Sequence, residues 1–163
     1  TTMPPLERTE IICQKSGMSD GDREEFLANF QIEDEKTRIG FCVLGGAFSE
    51  GIDLTQDQLI GAIIIGTGLP QISNEREILK NFYNKRQKNG FDYSFRFPGL
   101  NKVEQAAGRV IRTLDDKGII VLLDDRFTLK ENQQYFPREW EDASICQVEG
   151  IHQKLTEFWE ETQ

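Results

Sequence analysis

Histidine, cysteine and long apolar runs are scarce in this chain of 163 residues, and each scarcity excludes a class of function. His152 is the only histidine, which excludes a histidine-rich metal site and a Ser-His-Asp triad built on any other histidine. The three cysteines, Cys13, Cys42 and Cys146, are widely spaced and form no C-x-x-C pair. Neither a disulfide framework nor a metal site is therefore expected in this chain.

No apolar stretch approaches the ~20 residues that cross a bilayer. The amino-terminal residues also lack the pattern of a signal peptide. We therefore expect a soluble cytoplasmic protein without a membrane partner.

Two signatures of a self-sufficient ATP-hydrolysing domain are also missing. There is no G-x-x-x-x-G-K-[ST] P-loop, because the run 61–66 is followed by Thr67 and Gly68 without the lysine. There is no D-E-x-H-type box that could hold magnesium. By itself, the chain is not expected to cradle the β- and γ-phosphates of a nucleotide and to hold the metal.

The hydrophobic pattern predicts alternating strands and helices. Short apolar runs rich in β-branched residues and bounded by glycines predict strands buried on both faces of a parallel sheet. Ser19 and Asp22 form a capping box that predicts the start of the first helix. The predicted strands cover 10–14, 38–44, 60–66 and 119–123, and the predicted helices cover 20–30, 74–88, 101–112 and 145–161. This order predicts one α/β domain over 1–163, with a mostly parallel sheet flanked by helices.

The helix predicted over 101–112 carries the motif Q-x-x-G-R-x-x-R. Residues at i, i+4 and i+7 of a helix fall within a narrow arc, so Gln105, Arg109 and Arg112 are expected to share one polar stripe. Gly108 lies beside the stripe and leaves room for a ligand to approach the backbone. Two guanidiniums at fixed spacing suit a polyphosphate, although an ordinary solvated face explains this helix equally well when it is taken alone. The opposite, core-facing side is predicted to comprise Val103, Ala106, Ala107, Val110 and Ile111.

A glycine-rich loop follows the second predicted strand. In an α/β sheet, the loops at the carboxyl ends of the strands form the ligand crevice. A loop with a hydroxyl group and two carboxylates suits such a place, although glycine loops after strands are common. Its polar and glycine residues are Gly45, Gly46, Ser49, Glu50, Gly51 and Asp53.

Together and in this order, the two motifs resemble motifs V and VI of superfamily 2 helicases, closest to the XPD/DinG branch of iron–sulfur-type DNA helicases. The resemblance runs from about Ile11 to Trp140. Besides the two motifs it includes Ile11-Ile-Cys-Gln14, Gly68-Leu-Pro70, the run from Gly118 to Phe127, and Phe136-Pro-Arg-Glu-Trp140.

The resemblance implies a RecA-like α/β fold and the second motor domain of an ATP-dependent DNA helicase. ATP and Mg²⁺ would be bound mainly by a first motor domain that this chain lacks, and the isolated chain is expected to be inactive. The first strand–helix pair of the second domain is also expected to be missing. An iron–sulfur cluster could be present in a full-length protein, but none is expected in this chain.

The resemblance also implies roles for single residues. Arg112 would be the arginine finger that contacts the γ-phosphate, with Arg109 as its neighbour. Gln105 would order the catalytic site through hydrogen bonds. Asp124 and Arg126 follow a predicted strand, where a structural ion pair is at least as plausible as a catalytic role.

The glycine-rich loop and Gly108 would contribute to the nucleotide site. Gly51 and Gly108 would allow close approach of the nucleotide, and Glu50 and Asp53 would link its pocket to the nucleic-acid track. Ser49 and nearby backbone amides would contact DNA phosphates.

The charge distribution favours a nucleic-acid partner in one segment. The chain has a net charge of −9, but residues 76–112 contain nine basic and three acidic residues and carry +6, so the rest carries −15. A local basic patch matters more for phosphate binding than the global sum. Lys85, Arg86 and Lys88 are therefore predicted to contact single-stranded DNA, and a solvated helix end is an equal alternative for Lys85 and Lys88.

The expected partners are single-stranded DNA and the first motor domain of the same polypeptide, in the bacterial cytosol or nucleoid. Two other functions stay open. One is a non-catalytic α/β interaction module with a helicase-like shape, and the other is an RNA helicase or translocase of superfamily 2.

Overall fold

Four short strands form two separate parallel pairs in the computed structural model, which describes residues 8–48, 54, 58–113 and 116–161. Strand β1 (Thr9–Cys13) pairs with β2 (Thr37–Phe41), and β3 (Gly61–Ile65) pairs with β4 (Ile119–Leu123). In each pair the first residues of the two strands lie opposite each other. The predicted α/β class with parallel strands and flanking helices is confirmed, but the strands of the described residues do not join into one sheet.

Helices connect and flank these strands. The capping box predicted for the first helix is present, because the Asp22 amide donates to Ser19 Oγ at 3.2 Å and the Ser19 amide donates to Asp22 Oδ2 at 2.8 Å. No helix in the described part of the chain is both long enough and apolar enough to span a bilayer. The helices are α1 (Asp20–Ala28), α2 (Asn74–Asn84), α3 (Phe97–Ala107), α4 (Lys130–Gln133) and α5 (Ile151–Glu161).

Helix α2 ends at Asn84, four residues before the predicted boundary. The Gln87 amide donates to the Asn84 carbonyl at 3.1 Å and the Lys88 amide donates to the Tyr83 carbonyl at 3.2 Å. Gln87 adopts a left-handed backbone with φ of 57°. This bond pattern, with a left-handed residue after the last turn, is a Schellman termination, which is usually built on glycine and was not visible in the sequence.

A π-helical segment, Asp92–Arg96, leads directly into α3. Its hydrogen bonding widens at the end, where the Phe97 amide donates to the Asp92 carbonyl, five residues back. Pro98 begins the next turn and has no amide hydrogen for the carbonyl of Ser94, four residues earlier. The local widening of the helix is therefore explained by the proline.

The main core lies between α3 and the β3–β4 pair. Leu100, Val103 and Ala107 follow the helical spacing i, i+3, i+7 and are almost fully buried, together with Ile64 of β3 and Phe127. The partly buried residues packed against them are Leu44, Ala106, Ile120, Leu122, Phe136 and Trp140. The face of α3 predicted to be apolar is thus the face that fixes this helix to the sheet.

The prediction that the strands are buried on both faces is wrong. In β3, Ile64 is 5% exposed, whereas Ile63 and Ile65 are 68% and 70% exposed. Successive side chains of a strand point to opposite faces, and α3 covers only one face. Within the described residues, the other face of β3 has no helix packed on it that buries these two isoleucines.

Candidate nucleotide and nucleic-acid site

The motif residues 105–112 do not share one helix, so the predicted stripe is wrong in this respect. Helix α3 ends at Ala107, with Gly108 as its capping residue. Beyond it, the Arg109 amide donates to the Ala106 carbonyl at 3.2 Å and the Val110 amide donates to the Ala107 carbonyl at 3.0 Å. These i→i+3 bonds tighten the chain into turns, because glycine and the β-branched residues after it favour the helix less than the alanines before it. Gln105 therefore lies on α3, and both arginines follow it.

The backbone of Arg112 is held by a carboxylate that lies outside the predicted motif. Asp116 Oδ2 accepts hydrogen bonds from the amides of Arg112 and Thr113, each at 2.8 Å. These two bonds lower the pKa of the Asp116 carboxyl below its ordinary value. Arg109 and Arg112 are both half-buried. In the sequence, this contact is indicated only by the position of the Asp116 carboxylate four residues after Arg112. We call residues 109–112 the arginine turn.

The arginine turn is also anchored by an apolar contact. Val110 is 3% exposed and packs so closely against Gly118 that a Cβ atom there would collide with it. Ile111, predicted to face the core, is instead 47% exposed. Its placement changes because the chain leaves the helical path at Gly108, so the periodicity that put Ile111 beside Val103 no longer applies.

The arginine turn lies at the amino ends of β3 and β4. The Ile119 amide at the start of β4 donates to the Ile60 carbonyl, which precedes β3, at 3.0 Å. The loop at 66–70 and the pair Asp124 and Arg126 follow the carboxyl ends of the same strands. Different groups of predicted site residues therefore lie at the amino ends and at the carboxyl ends of β3 and β4.

The start of the glycine-rich loop lies against α3. A Cβ atom on Gly45, which has φ of +77°, would be 2.8 Å from Lys102 Cδ. Lys102 is one turn before Gln105 on α3, so the two motifs are neighbours at this point. The loop start is also tied to β1, because the Val43 amide donates to Gln14 Oε1 at 2.8 Å. Lys102 belongs to the basic segment 76–112, and no motif in the sequence assigns it to this contact.

The polar residues of the loop, Ser49, Glu50, Gly51 and Asp53, lie outside the described residues. The described residues that flank this stretch are Phe48 and Leu54. Phe48 is 4% exposed and stacks on Phe26 with ring centroids 4.3 Å apart, and Leu54 is 5% exposed. Both of these flanking side chains are therefore buried.

The three cations predicted to contact DNA lie just beyond the last residue of α2. Lys85 is the capping residue, and Arg86 places its guanidinium carbon 3.5 Å from the centre of the Phe82 ring. Lys88 Nζ lies 5.0 Å from the centre of the Tyr93 ring. All three side chains belong to exposed residues.

Asp124 and Arg126 form a two-point ion pair. Arg126 Nε donates to Asp124 Oδ1 at 2.8 Å, and Arg126 Nη2 donates to Asp124 Oδ2 at 2.7 Å. These hydrogen bonds lower the pKa of Asp124 to about 2 and raise that of Arg126. The ion pair expected as one alternative for Asp124 and Arg126 is present.

The described ranges contain no group of three or more histidine, cysteine, aspartate or glutamate side chains placed to hold a metal ion. The positively charged groups at the arginine turn fit the phosphates of a nucleotide and not its metal.

Most of the chain is similar to known helicase sequences. A sequence model described as "Helicase C-terminal domain" matches residues 2–143. The "Regulator of telomere elongation helicase 1 homolog" of Caenorhabditis elegans is 32% identical over 131 residues, covering 74% of this chain and 13% of that protein. The Drosophila melanogaster protein of the same name is 34% identical over 131 residues, covering 72% and 13%.

A solved structure titled "XPD_Helicase" has the same fold over most of this chain. The TM-score is 0.56 at 21% sequence identity, and the match covers 80% of this chain and 23% of the other. The chain thus spans only a small part of the proteins it resembles. The two relatives named above come from a nematode and an insect and give no support to a bacterial setting.

Proposed function

Because the chain belongs to the helicase C-terminal domain family, we propose that it is the second motor domain of an ATP-dependent DNA helicase. The observation that carries the proposal is the arginine turn, in which two half-buried arginines follow a core-anchored helix. Groups held by the fold before the reaction stabilise transition-state charge better than groups that must first be ordered. The names of the telomere-elongation helicase homologs favour the same activity for the whole protein.

Arg112 is proposed as the arginine finger, with Arg109 as its neighbour. ATP would be held with Mg²⁺ by a first motor domain, and the metal would neutralise charge on the phosphates. The Arg112 guanidinium would reach the γ-phosphate from this domain, while Asp116 holds the Arg112 backbone. In other phosphoryl-transfer systems such a finger contributes ~10³–10⁵ in rate. Gln105 would order the same site from the last turns of α3.

The glycine-rich loop is proposed to connect the nucleotide to the nucleic acid. The contact between Gly45 and Lys102 supports this, since it sets the loop start beside the helix that carries Gln105. The proposed roles are close approach of the nucleotide at Gly51 and Gly108, linkage through Glu50 and Asp53, and phosphate contact at Ser49.

Mutation of Arg112 in the intact protein tests the proposal. Arg112→Ala should lower kcat strongly while nucleotide affinity falls less, because the finger acts mainly in the transition state. Arg23→Ala is a matched control, since Arg23 forms an exposed pair with Asp20 on α1 and should leave kcat unchanged. Steady-state ATPase assays with single-stranded DNA or RNA, together with nucleotide binding, give the two quantities.

Each outcome of that experiment has a distinct meaning. Equal losses of affinity and turnover would make Arg112 a ground-state clamp. Unchanged kinetics would leave it as an ordinary polar residue and would contradict the proposal. The isolated 163-residue chain is also expected to show no ATP turnover. Hydrolysis by pure chain that Arg112→Ala abolishes would refute the division of the site between two domains.

A further inference from the structure

Aromatic rings and exposed cations are interleaved where α2 ends. Phe82 is 45% exposed, and the Arg86 guanidinium lies on one face of its ring, 3.5 Å from the ring centre. Tyr83 stacks on Tyr93 with ring centroids 4.3 Å apart, and Lys88 Nζ lies 5.0 Å from the Tyr93 ring centre. Phe82 meets Tyr83 edge to face at 5.5 Å, so the rings form one continuous group. We call Phe82, Arg86 and Lys88 the stacking surface.

The backbone holds these side chains in a fixed turn. Gln87, between Arg86 and Lys88, has a left-handed backbone, which residues other than glycine rarely adopt. The Gly90 amide donates to Asn84 Oδ1 at 2.8 Å, and a Cβ atom on Gly90 would collide with the Lys80 carbonyl oxygen. The turn therefore directs Arg86 back over Phe82 and Lys88 over Tyr93, and little reordering would accompany binding.

The surrounding charge indicates a polyanionic partner. Residues 78–91 contain four cations and no acidic residue, in a chain whose net charge is −9. Lys80 pairs with Glu77 at 2.8 Å. Within the described residues, no acidic side chain forms an ion pair with Lys85, Arg86 or Lys88. An apolar protein surface would match the rings, but it would leave these cations without a counter-charge.

We propose that the stacking surface binds unpaired bases of single-stranded DNA. One base stacks on the Phe82–Arg86 pair, and the flanking phosphates lie near Lys85 and Lys88. Rings accept any base because every base has a π face, and the cations follow the sugar–phosphate chain. This inference rests on the proposed function and adds to it a contact to the bases themselves.

The test compares two ligands of equal length and charge in the intact protein. One is an oligothymidylate, and the other is the same chain with abasic sites throughout. Phe82→Ala should reduce affinity for the oligothymidylate by about tenfold and leave affinity for the abasic chain unchanged. Phe82→Leu, which keeps an apolar side chain, should give the same selective loss. Ile78→Ala is the matched control, because Ile78 is an exposed apolar residue one turn earlier on α2. Fluorescence anisotropy measures both affinities.

Four results would overturn the inference. If the wild-type protein binds the oligothymidylate and both Phe82 variants bind it equally well, the stacking surface is rejected. The proposed function is not affected by that result. An equal loss on the two ligands, or an equal loss in Ile78→Ala, would show that base stacking is not the contact. A wild-type protein that binds neither ligand would reject the proposed function as well.

Discussion

The guanidinium of Arg76, on α2, donates a hydrogen bond to the backbone carbonyl of Ser94 at 3.0 Å. Ser94 lies within the π-helical segment and is fully buried. In a regular helix its carbonyl would accept from the amide of residue 98, but that residue is a proline. A side chain from a neighbouring helix thus takes the place of a missing backbone donor, and it ties α2 to the start of α3.

Arg76→Ala is expected to destabilise the fold by about 1–3 kcal/mol, because it removes the donor from a buried carbonyl. Pro98→Ala restores an amide hydrogen at the position that a helix would use. The double variant should therefore lose less stability than the sum of the two single variants. Urea unfolding of the four proteins measures this coupling. Strict additivity would show that Arg76 does not substitute for the proline's missing donor.

Gly99→Ala is expected to be strongly destabilising, by about 1–3 kcal/mol. The added Cβ atom would lie 2.7 Å from the Thr67 carbonyl oxygen and 3.1 Å from the Leu69 amide nitrogen, and both of these are backbone atoms. Gly21→Ala is the matched control, since the nearest atom to its Cβ is Ser19 Oγ at 3.9 Å. Alanine is the better helix former, so the control should gain about 0.5–1 kcal/mol. Melting temperatures that move in the same direction would contradict the close packing at Gly99.

The Asp124–Arg126 pair predicts a loss of stability in acid. The pKa of Asp124 is about 2 in the folded protein, below its ordinary value of 3.8. Its stabilising contribution is therefore complete above about pH 4 and is lost as the pH falls through 2. The effect should stay below about 1 kcal/mol, because the Arg126 side chain is 50% exposed.

Carboxyl NMR titration checks this value directly. Arg126→Ala should move the pKa of Asp124 back towards 3.8, and the variant's stability between pH 5 and 3 should depend less on pH than that of the wild type. An Asp124 pKa that stays near 2 without Arg126 would assign the shift to another cause.

The three cations after α2 should determine part of the salt dependence of DNA binding. Each lost phosphate contact lowers the salt slope of single-strand affinity by about 0.7 to one unit, so Lys85→Ala, Arg86→Ala and Lys88→Ala together should lower it by roughly two to three units. Basic groups at a helix end also favour the negative end of the macrodipole. An unchanged slope with a lowered melting temperature would assign the cations to helix stability.

Local features of the fold were predictable, because neighbouring residues encode them. The strand Ile119–Leu123 was predicted to the residue from its unbroken apolar run, and the Ser19–Asp22 capping box was confirmed. The predicted carboxyl-terminal boundaries of α2 and α3 are wrong, because each helix ends in a turn, at Gln87 and at Gly108. Periodicity alone does not record where the hydrogen-bond pattern changes.

Contacts between distant segments could not be predicted in the same way. Lys102 beside Gly45 and Arg76 on the Ser94 carbonyl depend on how α3 and α2 are placed in space. The exposure of Ile63 depends on what covers the second face of the strands. The apolar residues around it are compatible with a buried and with an exposed position. Asp116 was visible as a nearby carboxylate, but its two amide bonds require the turn that follows α3.

The backbone contact at the amino end of α3 has a mechanical consequence. A Cβ atom on Gly68 would lie 2.6 Å from the Gly99 carbonyl oxygen, so no side chain lies between the loop after β3 and the helix. Side chains can repack when a helix tilts, but two backbones in direct contact allow little relative movement. The eleven residues of α3 span about 16 Å and carry the arginine turn at the far end. Because no side chain separates them, α3 cannot tilt at its amino end unless the loop after β3 moves with it.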